Sequence, residues 1–381
     1  MSIKVAFIGF GPRAAGILAQ MMMSQELLGY EVDEDGDRLP IFEPISLFDP
    51  SQDRTKQPPF GMATFDSVDA MLDAGGDLAP DAVVVASPPT FHADQVMMAL
   101  ERGLHVFSEV PMALELNDIQ RIIDGCKAAP NARYMLGENY EYHPDVRYAS
   151  ALARDGKLGE IFYAEMEYMH DIRYRWYRPN SDSGIFSPGS DGKPKHTPWY
   201  SGMNPMMYAH SIGPVLKIIG LANGGRKPFT SVNARGNQKV DPITKAMNFT
   251  VGLFEMDDGT IARCANAMAI IRKPARRCLN VYGNLGSFEA HEGAGIVPNR
   301  VFLSPSKSFN DFNNTSIKKV PKEEIKRVGG NENELVDWSR AILDKKPAAI
   351  NEIHAAEQCA AGICAARSAQ ERVTVEIPSY R

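Results

Sequence analysis

The chain has 381 residues, 44% apolar and 23% charged, with 41 Lys and Arg against 47 Asp and Glu for a net charge of −6. That length implies two domains, and the balance gives no footprint for nucleic acid or an anionic membrane. No apolar run approaches the roughly 18 residues of a membrane span, and a strand starting at once leaves no room for a signal peptide. Five scattered cysteines without a C-x-x-C pair read as reduced thiols, so a cytoplasmic protein is expected.

The first element is Ile3–Ile8, an apolar buried strand. It runs into Gly9-Phe10-Gly11-Pro12-Arg13-Ala14, a G-x-G-x-x-A turn opening a helix. Gly9 allows the tight turn, Gly11 lets backbone approach a pyrophosphate, and Ala14 permits close helix–strand packing. The helix N-terminus then points unpaired N–H groups at the phosphates. Ile45–Asp49 reads as the second strand, and Asp49 as the carboxylate for a ribose diol, delayed by an excursion over residues 24–44. A carboxylate there repels a 2′-phosphate, so NAD is expected over NADP. The bland alternative is a glycine turn with an unrelated surface Asp.

A short helix follows at Ser67–Ala74, a buried strand at Ala82–Ala86, a helix from about Ala93 to Gly103 and a strand at His105–Glu109. A helix at Leu116–Ala128 and a strand at Arg133–Gly137 complete the alternation. It implies a parallel sheet with ligands at the strand C-termini. Beyond residue 150 longer strand-like runs follow one another: Ile161–Tyr168, Phe229–Arg235, Met247–Met256, Thr260–Ile270 and Leu279–His291. Asp257-Asp258-Gly259 reads as a hairpin turn. Glu332–Leu343 and Glu352–Ser368 read as helices, Val373–Ile377 as a last strand, and residues 178–200 as a loop bordering the site.

The expected fold class is therefore α/β plus α+β. An NAD-binding Rossmann domain over 1–140 precedes a substrate and oligomerisation domain over 141–381, built on an open, mainly antiparallel sheet. The C-terminal helices are expected to pack back on the first domain. An uncovered sheet face invites a second copy of the chain, hence a homo-dimer or homo-tetramer.

The whole chain resembles the glucose–fructose oxidoreductase / inositol dehydrogenase (Gfo/Idh/MocA) family. The residues that carry the resemblance are GFGPRA at 9–14, ASPPTFHAD at 86–94, SEVP at 108–111, Tyr282–Ser287 and Ala365–Ala369. It implies cofactor contacts from Ser87, Pro88, Pro89, His92, Glu109, Val110 and Pro111 as well as Gly9, Gly11, Pro12, Arg13, Ala14 and Asp49. Dehydrogenases of that family carry Glu-Lys-Pro with a proton-removing Lys, where this chain has Val110. They also commonly carry Asp-x-x-x-His, where Met206 stands four before His210. Leu136–Asn139, Tyr168–Arg173 and Tyr208–Pro214 are similar to segments of the NAD-dependent glycosidases of glycoside hydrolase family 109, which share Glu-Val-Pro. Their tyrosine lies three before the histidine, whereas Tyr208 lies two before His210.

That resemblance implies transient oxidation of a sugar at C3, loss of the C2 proton, elimination at C1, addition of water and return of the hydride. His210 is the first catalytic candidate, because a neutral imidazole accepts protons near pH 7; its bland alternative is a helix N-terminal histidine bound to backbone. Glu138, at a strand end, suits a base or a sugar hydroxyl contact, against a plain surface carboxylate. Alternation puts Tyr168 and His170 on one strand face, fit for acid, base or sugar contact, and Asp171 on the other. Asn139, Tyr208, Arg173, Arg175 and Arg178 are candidate substrate contacts. The arginines suit an anionic sugar, or simply a solvated loop. His143, His196 and His291 lack metal-ligand spacing, so no metal is expected. Three functions remain open: a glycosidase, a sugar or cyclitol dehydrogenase with a replacement base, and a non-catalytic nucleotide-binding scaffold.

Overall fold

The computed structural model describes residues 2–28, 31–32, 38–39, 41–172, 203–237, 247–270, 276–292, 299–304, 316–321, 324 and 333–381. Two compact units divide the chain: Met1–Gly137 with Asn331–Ala356, and Glu138–Gly330 with Glu357–Arg381.

The strands of the first unit are β1 (Ile3–Ile8), β2 (Glu31–Val32), β3 (Arg38–Leu39), β4 (Phe42–Phe48), β5 (Ala63–Thr64), β6 (Ala82–Val85), β7 (His105–Ser108) and β8 (Tyr134–Leu136). Six of them form a parallel sheet in the order β5-β4-β1-β6-β7-β8, while β2 and β3 pair as a separate two-residue ladder. That is the doubly wound dinucleotide-binding order, whose ligand crevice lies where the order reverses, beyond β1 and β6. The four residues of β6 are all fully buried, as a strand covered on both faces requires. The second long strand starts three residues earlier than its apolar pattern suggests, because Pro44 is absorbed. Val5 pairs with Pro44 and Ala6 with Ser46, so the ladder skips Ile45. A proline lacks the N–H for a regular ladder and is tolerated at such a bulge.

The centre of this unit is aromatic. Trp338, on the helix Glu334–Leu343, stacks on Phe42 (5.6 Å between ring centres) and meets Phe107 at 5.5 Å. All three are fully buried.

The second unit holds β9 (Ile161–Met169), β10 (Ser231–Gly236), β11 (Phe249–Glu255), β12 (Ile261–Ala267), β13 (Arg276–Gly283), β14 (Gly286–Glu292), β15 (Asn299–Leu303), β16 (Ser316–Val320) and β17 (Thr374–Glu376). They form one nine-stranded sheet, β16-β15-β14-β13-β9-β12-β11-β10-β17. Every pairing is antiparallel except β9 with β12. The run Leu279–His291, expected as one strand, is two, β13 and β14, in a hairpin. A Cβ at Gly283 would sit 2.1 Å from the Leu158 carbonyl oxygen, so the chain turns there against another backbone. Helices Pro144–Arg154 and Ile212–Ala222 pack on one face of the sheet, and Ser368 on the helix Glu352–Glu371 accepts a hydrogen bond from the Ala234 N–H of β10 (2.8 Å). Among the described residues no helix is long and apolar enough to cross a membrane.

Trp338→Ala empties the aromatic centre of the first unit. The urea midpoint of that unit, followed by far-ultraviolet circular dichroism, is expected to fall by the equivalent of about 3–5 kcal/mol, the usual cost of deleting a buried Trp.

Candidate functional site

In the first unit the chemistry gathers at the ends of β1, β4 and β6. Gly9 has φ +80, and a Cβ there would lie 2.7 Å from Ser87 Cα and 2.8 Å from Ser87 N. Only glycine lets the two loops touch through backbone. Pro12 opens the helix Pro12–Leu28, where a missing N–H costs nothing, and Ala14 is fully buried where a third glycine would stand. A Cβ at Gly11 would meet nothing nearer than Arg54 Nη1 at 3.8 Å, so this backbone is open to a phosphate. The residues present fit a dinucleotide: an open glycine turn leads into the N–H groups of a helix N-terminus.

Several side chains expected at the cofactor hold one another. Arg13 donates to Glu109 (2.5 Å) and Glu334 (3.0 Å), and these carboxylates raise its pKa against burial. His92 is buried with Nδ1 2.8 Å from the Pro111 carbonyl oxygen and Nε2 2.9 Å from that of Ser87. Burial lowers its pKa, while the two carbonyls and Glu109 pull the other way. The Ser87 hydroxyl donates to Gln95 (2.5 Å). Pro88 and Pro89 lead the short 3-10 turn Pro89–Phe91, and Val110 lies half-buried before Pro111. Asp49 accepts from the Phe10 N–H (2.7 Å), the Ser51 N–H (2.8 Å) and Arg54 (3.0 Å).

In the second unit Glu138 has no exposed surface. Its Oε1 accepts from the Tyr140 N–H at 3.0 Å, capping the 3-10 turn Asn139–Tyr142. Its two oxygens lie 2.9 and 3.0 Å from His210 Nδ1. An ionised carboxylate only accepts, so Nδ1 carries the proton and Nε2 is left as the acceptor nitrogen. His210 follows the 3-10 turn Pro205–Tyr208 and Ala209, a non-glycine residue at φ 60; Asn266 of β12 anchors the turn through the Pro205 carbonyl (3.1 Å). Such strain persists only where surrounding contacts impose it.

Aromatic rings enclose this pair. Tyr140 lies 4.5 Å from the His210 ring, Tyr168 4.8 Å and Tyr208 6.0 Å. The Tyr168 hydroxyl is 2.5 Å from His170 Nδ1, so strand alternation does bring these two together. Asp171 instead makes an isolated bridge to Ala269. Asn139 is exposed beside the cap. Arg173, Arg175 and Arg178 lie outside the described residues. Among the described residues no group of three His, Cys, Asp or Glu is placed to hold a metal.

Three residues enter that the sequence did not single out: Arg54, Tyr140 and Arg277. Tyr140 stands two after Glu138, and burial lifts its hydroxyl pKa against the pull of Arg277. Arg277 sits opposite Tyr168 in the β9–β13 register, with its guanidinium 5.3 Å from the Tyr140 ring centre. Only strand pairing brings residues 109 positions apart together, so no local signal could mark it.

The first unit has a dinucleotide-binding fold, and the second carries a buried Glu138–His210 pair. Residues 3–137 match the family described as "Oxidoreductase family, NAD-binding Rossmann fold", GFO_IDH_MocA. A glycosyl hydrolase family 109 protein of Shewanella pealeana is 26% identical over 227 residues, 59% of this chain and 46% of that protein. An alpha-N-acetylgalactosaminidase of Shewanella oneidensis is 28% identical over 147 residues, 38% of this chain and 30% of that protein. The matched stretches span less than half the length of either relative. A levoglucosan dehydrogenase in complex with NADH superposes with TM-score 0.73 at 16% identity, covering 100% of both chains, a likeness of fold.

His143 borders the cluster, and burial with the nearby Arg277 charge lowers its pKa from 6.5 to about 3. Asp145, 3.8 Å away, opposes this and is outweighed. The unfolded chain therefore binds a proton between pH 6.5 and 3 that the folded chain does not. Stability rises with pH across that window and is lost on acidification, by up to about 1.4 kcal/mol per pH unit. His143→Asn is expected to flatten the stability–pH curve there, measured by urea unfolding at stepped pH; an unchanged slope refutes the assignment.

Proposed function

We propose that the protein is an NAD-dependent glycosidase acting by transient oxidation of its sugar. The observation that carries this reading is the Glu138–His210 pair in a tyrosine-lined setting. The absence of a lysine at Val110 supports it over a plain dehydrogenase, as do the relatives named glycosyl hydrolase family 109 protein and alpha-N-acetylgalactosaminidase.

NAD, when bound, supplies a reversible hydride acceptor for sugar C3. His210 Nε2 takes the C3 hydroxyl proton, and Glu138 holds the imidazolium that forms. Being fully buried, Glu138 acts through His210 and does not touch the sugar. The C3 ketone acidifies the C2 hydrogen. Tyr168 removes that hydrogen as it passes its own proton to His170, and the electron pair expels the C1 substituent. Water adds at C1 as C2 regains a proton from Tyr168, resupplied by His170, and as hydride is returned to C3 His210 gives its proton back to the C3 oxygen. Tyr140 and Tyr208 pack His210 into its working orientation.

The face of the nine-stranded sheet that no helix covers among the described residues suits a second copy of the chain. Leu253, Ile261 and Ile317 are exposed there, beside Phe249 and Val251 packed on Met169, Ala265 and Ala267.

Aryl N-acetylgalactosaminides are the first substrates to test. Cleavage is expected to require NAD without stoichiometric NADH, and the product formed in D₂O carries deuterium at C2. His210→Ala is expected to lose about 10²-fold or more in kcat. Cleavage without C2 exchange, or full turnover by NAD-stripped enzyme, refutes the mechanism. Stoichiometric NADH with an unglycosylated sugar instead makes it a dehydrogenase.

A further inference from the structure

We propose that Arg54 adapts the dinucleotide site to the 2′-phosphate of NADP, so that the protein binds NADP about as well as NAD. The inference rests on the nucleotide site of the first unit and concerns one subsite of it.

The carboxylate expected to select NAD is Asp49. To grip a ribose diol it must offer both oxygens. Its Oδ2 already accepts two hydrogen bonds, from the Phe10 N–H (2.7 Å) and Arg54 Nη1 (3.0 Å), and its Oδ1 accepts one from the Ser51 N–H (2.8 Å). A carboxylate has about four acceptor positions, so one remains, on one oxygen. The Asp49 side chain is only 3% exposed, which leaves little surface for a sugar. This carboxylate is a brace for the glycine turn.

Arg54 pairs with Asp49 but is far more exposed. Its side chain is 49% exposed, and its Nη1 lies 3.8 Å from where a Gly11 Cβ would be, over the turn that receives a dinucleotide. One of its N–H groups serves Asp49, and a guanidinium has about five, so the others remain for a phosphate in a fork geometry that suits it. Its charge cancels the repulsion that Asp49 alone would exert. The remaining charges of this segment, Asp53 and Lys56, pair at 3.2 Å. From Asp49 to Lys56 two carboxylates face two cations, and no net negative charge opposes a 2′-phosphate.

The test is calorimetric titration of the full chain, stripped of bound nucleotide, with NAD, NADP, 5′-AMP and 2′,5′-ADP. Wild type is expected to bind NADP within about tenfold of NAD, and 2′,5′-ADP more tightly than 5′-AMP. Arg54→Gln, at an exposed position, is expected to weaken NADP and 2′,5′-ADP by about 10- to 100-fold, the scale of a charge-assisted hydrogen bond, and NAD by less than threefold. Arg54→Lys, which keeps the charge and loses the fork, falls between. Wild type binding NADP more than 100-fold more weakly than NAD overturns the proposal. So does equal weakening of both dinucleotides in Arg54→Gln, which would make Arg54 a support of the turn. If wild type binds neither dinucleotide nor 5′-AMP, the nucleotide site itself fails, an outcome distinct from a failure of phosphate selectivity.

Discussion

A carboxylate with no exposed surface is costly unless every oxygen finds a donor, and Glu138 is such a group. Its donors come from two stretches 70 residues apart: the Tyr140 N–H, available because the chain turns into a 3-10 helix, and His210 Nδ1, available because the chain bends through Ala209. Satisfying one buried charge thus fixes two loops against each other and sets the tautomer of the histidine. Tyr140 arrives with the first loop and Tyr208 with the second. Tyr168 comes from β9, so the ring cluster follows from the same requirement plus one strand.

The first unit also holds nearly buried carboxylates through distant partners. Arg13 stands inside the first turn of a helix and is held by Glu109, beyond β7, and Glu334, at the start of the last helix of the unit. Asp49 braces the glycine turn in the same manner. Ionisable residues near the glycine turn therefore divide into those held inside it and those left at its surface. Exposure decides between them: Arg54 is half exposed, Asp49 is not.

The two units also differ in how local their information is. A parallel sheet covered on both faces demands continuous apolar runs such as Ala82–Val85, which are visible in one window. Among the described residues helices cover one face of the second sheet, its strands carry polar residues such as Glu165, Glu167 and Arg263 that pair across strands, and its hairpin at Gly283 depends on the backbone of Leu158. The run Leu279–His291 consequently reads as one strand until its neighbour is known.

The sequence by itself determined the doubly wound sheet, the glycine turn, the mainly antiparallel second sheet and NAD as cofactor class. Each rests on short-range patterns: apolar runs, turn residues and the G-x-G-x-x-A spacing. It also marked Glu138, His210, Tyr168 and His170 by residue type. Only the tertiary structure decided that Glu138 serves His210, that Arg277 reaches Tyr140, and that Asp49 is bound to the turn with Arg54 beside it. Those are pairings between residues far apart in the chain, set by strand register and by the need to satisfy buried charge, and neither leaves a local trace.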